Sequence, residues 1–108
     1  MAYQTTNPYT GEVSATFPDA TDAEVLQAIE NAHNAFLSWK ETSFAERAKV
    51  MQSAADILRK EIDPYATLLT TEMGKLFSEA KLEVQLSADI FEWYAKRPSR
   101  CLRRKNSR

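Results

Sequence analysis

Apolar residues recur every three or four positions over most of the chain, and the first residues and the last twelve depart from this helical pattern. Tyr3 to Thr6 and Val13 to Phe17 are short stretches rich in threonine, valine and aromatic residues. They flank the segment 7–12, in which an Asn-Pro pair and Gly11 are turn signals. The pattern therefore predicts a small N-terminal β-hairpin.

Two helices are predicted after the hairpin, because each of two apolar stripes follows a capping box. In the boxes formed by Thr21 with Glu24 and by Ser43 with Glu46, the two side chains satisfy backbone N–H groups of the first turn. The first helix presents one face built for burial, made of Val25, Leu26, Ile29, Ala32, Phe36 and Leu37. The stripe of the second helix consists of Phe44, Ala48, Met51, Ala55, Leu58 and Ile62.

A short third helix is predicted between a proline and a glycine. Asp63 is expected to be its N-cap, with Pro64 at the first helical position, where the missing N–H costs nothing. Gly74 stands where a left-handed C-terminal cap is expected. The apolar residues that this helix presents are Tyr65, Leu68, Leu69 and Met73.

The fourth helix, about Leu76 to Ala95, carries two apolar stripes on opposite sides. One stripe consists of Phe77, Ala80, Val84, Ala88, Phe91 and Ala95, and the other of Leu82, Leu86, Ile90 and Trp93. The three preceding helices and the hairpin are expected to cover one side, and the other suits a sheet, another domain or another subunit. The pattern predicts a mainly α fold with an N-terminal β-hairpin, in which the last helix needs cover that this chain does not supply.

Composition excludes several classes of site. A chain of 108 residues is one domain or less, and its two glycines cannot form a P-loop or the glycine fingerprint of a dinucleotide fold. Its single cysteine, Cys101, and single histidine, His33, cannot supply an internal disulfide or the four ligands of a structural zinc. No apolar run approaches the roughly 20 residues that cross a bilayer, and the first residues do not resemble a signal peptide. We expect a cytoplasmic protein that does not enter membranes.

The two residues best suited to nucleophilic catalysis also have simpler interpretations. His33 is the only histidine that could act as a base, but it lies on or beside the apolar face of the first helix, which favours a packed or boundary side chain. Arg100 and Arg103 would lower the pKa of Cys101 and favour a thiolate nucleophile, but this cysteine lies in a polar segment without periodicity. A nucleophile needs a rigid scaffold, so we do not expect catalysis from it.

Other candidates are a carboxylate pair and three aromatic residues. Glu79 and Glu83 lie one helical turn apart, as an acid/base pair would, but they belong to a highly charged helix and are expected to be solvated. Trp39, Trp93 and Tyr94 are able to stack on a ligand, although on amphipathic helices such residues more often pack in a core or interface. We therefore predict no catalytic, cofactor-binding or metal-ligating residue in this chain.

Charge divides the chain into residues 1–96 and a basic tail, 97–108. All 15 acidic residues lie in the first part, whereas six of the 14 lysines and arginines lie in the last twelve residues. We expect this tail to be disordered, since it has almost no apolar residues. Its charge would favour binding of nucleic acid through counterion release. However, the tail has no aromatic residues and follows the acidic residues 1–96, so we expect no nucleic-acid partner.

Five short motifs follow one another along the chain: the segments 7–12 (NPYTGE), 35–39 (AFLSW), 45–48 (AERA), 72–75 (EMGK) and 91–95 (FEWYA). In this order they resemble the opening of the aldehyde dehydrogenase superfamily, above all its succinate-semialdehyde dehydrogenase branch. The resemblance implies a truncated N-terminal part of an α/β enzyme several times longer, in which residues 1–96 form a hairpin and four helices that flank the cofactor-binding domain. The likeness is expected to end after Lys96, as it would at a shifted reading frame or an artificial junction.

The resemblance also implies a reaction. In the family, a cysteine attacks an aldehyde, hydride passes to NAD or NADP, and a glutamate-activated water releases the carboxylic acid. No position of this chain inherits those roles, so we expect a piece that binds no cofactor and is inactive alone. The alternative interpretation is a helical protein-interaction module that self-associates through Leu86, Ile90 and Trp93 of the last helix.

Overall fold

A computed structural model describes residues 3–97 as a β-hairpin followed by four helices, which confirms the predicted fold class. In chain order the elements are β1 (Tyr3–Thr6), β2 (Val13–Phe17), α1 (Asp22–Trp39), α2 (Phe44–Lys60), α3 (Ile62–Met73) and α4 (Phe77–Lys96). None of these helices is long and apolar enough to cross a membrane. The predicted basic tail and Cys101 lie outside the described residues, apart from Arg97, so the disorder of the tail stays a prediction.

The hairpin is antiparallel and is closed by a turn that one asparagine organises. β1 begins with Tyr3 opposite Phe17 of β2. The Asn7 N–H donates to the Glu12 carbonyl (2.8 Å), and the Asn7 carbonyl accepts from the Gly11 N–H (2.8 Å). Gly11 has φ = +75°, a conformation that glycine adopts without strain. The turn signals in the sequence therefore correspond to a turn that requires them.

Both predicted capping boxes are confirmed. The Thr21 hydroxyl accepts from the Glu24 N–H (3.3 Å) and the Glu24 carboxylate accepts from the Thr21 N–H (2.7 Å). Ser43 and Glu46 repeat this arrangement at 3.2 and 2.7 Å. These hydrogen bonds to the carboxylates hold the pKa of both glutamates below its usual value. Local chemistry alone therefore places the starts of α1 and α2.

The start of α3 differs from the expectation that Asp63 is its N-cap. The helix begins at Ile62 after Glu61, so Ile62 does not extend the α2 stripe and Pro64 is the third helical residue rather than the first. Proline still lies within the first turn, where a backbone N–H has no helical acceptor. The Asp63 carboxylate instead pairs with the Lys81 ammonium of α4 at 2.7 Å. This contact between helices is absent from the local pattern, which is why the prediction was wrong.

The core lies where α4 packs against α2 and α3. Its buried residues are small, with Val84 the largest: Ala55, Ala66, Ala80, Val84 and Ala88. Three of them belong to the predicted inner stripe of α4 and confirm it at those positions, whereas Phe77 of the same stripe is 39% exposed. Alanines at these positions let the helix backbones approach closely, while the larger apolar residues of α2 and α3 lie at the edges of the contact. Ala66 was not predicted, because Leu68 and Met73 of the same helix looked better suited to burial and yet are exposed.

Helix α1 packs against no other element of the described chain. None of its residues is buried, and its apolar face is exposed, including Ile29 and Phe36. The expectation that all three preceding helices and the hairpin cover α4 is therefore wrong, because only α2 and α3 do so. His33 is exposed for the same reason, which corrects its interpretation as a packed side chain.

The hairpin is anchored at the end of α3. The α3 C-cap, Gly74, has φ = +71°, and its N–H donates to the Thr70 carbonyl (3.0 Å), as predicted for a left-handed cap. Pro8 of the hairpin turn lies against this cap, so that a Cβ added to Gly74 would be 3.1 Å from the Pro8 Cγ. Glycine at this position thus serves both the helix end and the contact with the hairpin.

Candidate functional site

One candidate functional surface is the side of α4 that faces away from α2 and α3. We call the residues Leu82, Leu86, Ile90 and Trp93 the outer face of α4. Their side chains are 71%, 59%, 50% and 46% exposed, whereas the opposite side of the same helix holds Ala80 and Ala88 at 0%. The two-sided pattern predicted from the sequence is therefore present, and one of the two sides is open.

The outer face ends in an aromatic depression. Ile90, Trp93 and Tyr94 line an apolar hollow of about 300 Å³. The rings of Trp93 and Tyr94 meet edge to face, with centroids 5.0 Å apart and planes at 83°. The Arg97 guanidinium lies over the Trp93 ring at 4.9 Å, in a cation–π contact. The depression therefore combines an apolar floor with a positive charge at its rim.

Ion pairs fix the angle of α4 on α2. The Arg59 guanidinium donates to Asp89 (2.9 Å) and to Glu92 (3.0 Å), and Glu92 also pairs with Lys96 (3.0 Å). The hydrogen bond to Asp89 raises the pKa of Arg59. In return, Arg59 lowers the pKa of Asp89, and Lys96 together with Arg59 lowers that of Glu92. The charged residues Asp89, Glu92 and Lys96 along one edge of α4 are therefore engaged in ion pairs.

A second hollow of about 290 Å³ lies among α2, α3 and α4. Its wall is mostly apolar and consists of Leu58, Tyr65, Leu68, Leu69, Glu83, Val84 and Ser87. The Glu83 carboxylate is held in an ion pair with Lys75. The hollow is therefore a gap at the edge of a small core, with its one carboxylate already engaged.

The candidate residues do not assemble into a catalytic group. Glu79 is exposed, and Glu83 pairs with Lys75 instead of forming an acid/base pair with Glu79. His33 lies on α1, which contacts neither α3 nor α4. Within residues 3–97, no three histidine, cysteine or acidic side chains lie close enough to hold a metal ion.

Within residues 3–97, neither glycine belongs to a glycine-rich turn that opens a helix. A pyrophosphate is held by a glycine-rich turn that opens a helix. Here Gly11 lies in the hairpin turn and Gly74 ends α3, each as a single glycine. The three aromatic candidates are about half exposed, at 47% for Trp39, 46% for Trp93 and 51% for Tyr94.

Comparison with known proteins identifies the family. The model of the aldehyde dehydrogenase family matches residues 1–107. The chain belongs to the aldehyde dehydrogenase family. This match extends beyond Lys96 into the basic segment, so the expectation that the likeness ends at that residue is wrong.

The relatives include succinate-semialdehyde dehydrogenases. The chain is 45% identical over 92 residues to the NADP(+) enzyme of Deinococcus radiodurans, covering 85% of this chain and 19% of that one. It is also 45% identical over 95 residues to succinate-semialdehyde dehydrogenase [NADP(+)] 1 of Mycobacterium tuberculosis, covering 88% and 21%. The chain thus spans about a fifth of the length of the curated relatives it matches.

Solved structures agree with this assignment. The succinic semialdehyde dehydrogenase of Streptococcus pyogenes, in complex with NADP+, superposes with a TM-score of 0.83 at 43% identity, covering 89% of this chain and 21% of that one. An NAD-dependent benzaldehyde dehydrogenase of Corynebacterium glutamicum gives a TM-score of 0.83 at 32% identity, covering 93% and 22%. The hairpin and four helices are therefore an arrangement found within aldehyde dehydrogenases, as the resemblance implied.

Proposed function

We propose that this chain is an N-terminal piece of an NADP-dependent succinate-semialdehyde dehydrogenase, a cytoplasmic enzyme that oxidises an aldehyde to a carboxylic acid. The observation that carries the proposal is the 45% identity to two enzymes of that activity over nearly the whole chain. On this proposal, the piece contributes structure to the enzyme rather than reacting groups, and is inactive by itself.

The exposed apolar faces support a structural contribution. Leu26 and Ile29 of α1 and Leu82 and Leu86 of α4 are each more than half exposed. Contiguous apolar surface of this kind marks an interface in soluble proteins. Because the chain covers about a fifth of its relatives, the remaining four fifths of such an enzyme supply a natural cover.

A chimera tests whether the chain can perform this part. Residues 4–95 replace the aligned segment of the Deinococcus radiodurans relative, and NADPH formation from succinic semialdehyde is followed by absorbance. We expect turnover within about tenfold of the unaltered relative, equivalent to a barrier change below about 1.4 kcal/mol. A chimera that folds, by circular dichroism and size exclusion, but does not turn over the aldehyde contradicts the proposal.

Two substitutions in the chimera test the role of the outer face. Leu86→Asp should prevent the segment from packing on the rest of the chimera and so abolish activity, because it would bury an unpaired charge. The volume-conserving Leu86→Met should leave the chimera active. Equal activity of the two variants would show that the outer face of α4 stays open in the enzyme and would count against its role as an interface.

The isolated chain provides the complementary test. Incubated with succinic semialdehyde and NADP+ or NAD+, the purified 108-residue chain should give no reduced cofactor above a blank. Titration of either cofactor should leave the fluorescence of Trp39 and Trp93 unchanged, since we assign no cofactor-binding residue to this chain. Turnover, or saturable cofactor binding, would refute this part of the proposal.

A second candidate function is a helical interaction module that self-associates through Leu86, Ile90 and Trp93. The observation that favours it is the half-exposed state of these three side chains together on one side of α4. In this function the partner is another protein surface, whereas in the first function it is the remainder of a dehydrogenase. Sedimentation of the purified chain distinguishes a discrete oligomer from a monomer or an aggregating fragment.

A further inference from the structure

We propose that two copies of this chain pair antiparallel through the outer face of α4, with Leu82 of each copy seated in the aromatic depression of the other. The proposal deepens the second function above, on which it rests, by naming the partner and the register. It concerns the chain by itself, since in the first function the rest of the dehydrogenase covers the same face. It depends on the shape, charge and area of the outer face.

Shape favours an antiparallel register centred on the level of Ala88. In that register, Leu86 of one copy lies opposite Ile90 of the other, and the contact occurs twice because the pair has two-fold symmetry. Leu82 then lies opposite Tyr94 and beside Trp93, where the depression of about 300 Å³ is large enough for a leucine side chain. The most exposed residue of the face, Leu82 at 71%, thus meets the aromatic depression of the other copy.

Charge selects the antiparallel over the parallel arrangement. The outer side of α4 carries Glu79 near its start, and Lys96 and Arg97 lie at its end. An antiparallel pair brings Glu79 of each copy to the end of the other, opposite Arg97. A parallel pair would place like charges together, and would also align the two helix dipoles unfavourably.

The exposed area is sufficient for a weak dimer. At roughly half exposure, the four outer-face residues and Tyr94 present on the order of 500 Å² per copy, so that a pair buries about 1,000 Å² in total. This is close to the lower limit for a specific interface. We therefore expect dissociation in the micromolar range and an equilibrium that concentration shifts.

Sedimentation equilibrium of the full chain, from about 1 to about 300 µM, tests the pairing. We expect a monomer–dimer equilibrium that Ile90→Asp weakens by about 100-fold or more, because a desolvated charge has no partner. Ile57→Asp is the matched control, since Ile57 on α2 is 49% exposed and Ile90 is 50% exposed. Circular dichroism of both variants establishes that they keep their helices.

Two further measurements test the register. Glu79→Arg and Arg97→Glu should each weaken the dimer about threefold, as expected for a pair at the rim, and the double variant should recover the original affinity. In a Cys101→Ser background, a mixture of Leu86→Cys and Ile90→Cys chains should form the mixed disulfide in preference to either symmetric one.

Several outcomes would overturn the proposal. A chain that stays monomeric over the whole range, or forms only heterogeneous aggregates, does not pair as described. If Ile29→Asp on α1 dissociates the dimer and Ile90→Asp does not, the two copies pair through α1 and not through α4. A dimer without recovery in the charge swap and without the mixed disulfide uses a different register. None of these results bears on the chimera, whose activity tests the dehydrogenase assignment separately.

Discussion

Replacing Gly74 by alanine should destabilise the chain by about 2–3 kcal/mol, through two separable penalties. The first is conformational, because φ at Gly74 is +71° and a left-handed residue with a Cβ costs about 1–2 kcal/mol. The second is steric, because the new Cβ would lie 3.1 Å from the Pro8 Cγ and 3.8 Å from the Pro8 Cβ. A methyl group forced into a filled site adds about 1 kcal/mol when its neighbour must shift slightly.

A double-mutant cycle separates these penalties. Urea unfolding of Gly74→Ala, Pro8→Ala and the double variant, followed by circular dichroism, should give a coupling of about 0.5–1 kcal/mol, since removal of the proline ring relieves only the steric part. Gly11→Ala is the control for the conformational part. Gly11 has φ = +75°, and nothing lies within 4 Å of a Cβ added there.

The cycle would refute the reasoning in either of two ways. A Gly74→Ala variant as stable as the original chain would mean that the left-handed cap is absent in solution. A full destabilisation with zero coupling to Pro8 would mean that the cap forms but the hairpin does not dock on the end of α3.

The remaining predictions concern the core and the charge cluster. Val84→Ala should lower the free energy of unfolding in urea by about 1.5–2 kcal/mol, because two buried methyl groups are lost. Val50→Ala, at a position that is 55% exposed, is the control and should lower it by under about 0.5 kcal/mol. Equal effects of the two substitutions would show that the α4 core is not packed. The pKa values of Asp89 and Glu92 are lowered in the folded chain, so the stabilisation by Arg59 is present at neutral pH and is lost as the pH falls below their ordinary values of 3.8 and 4.5. In Arg59→Gln the urea midpoint should therefore fall less steeply with acidification than in the original chain, and an identical pH profile would contradict this origin.

Features set by neighbouring residues were predictable from the sequence. The capping boxes at Thr21 and Ser43 depend on residues three positions apart, and the left-handed cap at Gly74 depends on a single residue. The open outer face of α4 was also predictable, because a helix with two apolar sides exceeds the cover that so short a chain provides. This surface is the candidate site, so its location followed from periodicity alone.

Features set by contacts between elements were not predictable. The apolar face of α1 resembles a buried face whether or not a partner is present, since periodicity encodes a preference for burial and not the identity of the cover. Ala66 is buried because α3 approaches α4 closely, and a small residue in a stripe of larger ones gives no signal of that approach. The turn of Asp63 toward Lys81 depends on a residue 18 positions away, beyond the reach of any local rule.

The separation of α1 from the other elements has a consequence for how the chain folds. A helix that gains nothing from tertiary contacts depends on its own hydrogen bonds and caps, and an 18-residue helix in water is only marginally stable on those terms. We therefore expect two cooperative units, a bundle of α2, α3 and α4 and an arm whose helix forms and opens independently of that bundle. Whatever partner covers α1 would stabilise that helix as it binds, so that part of the binding free energy would appear as helix formation in the arm.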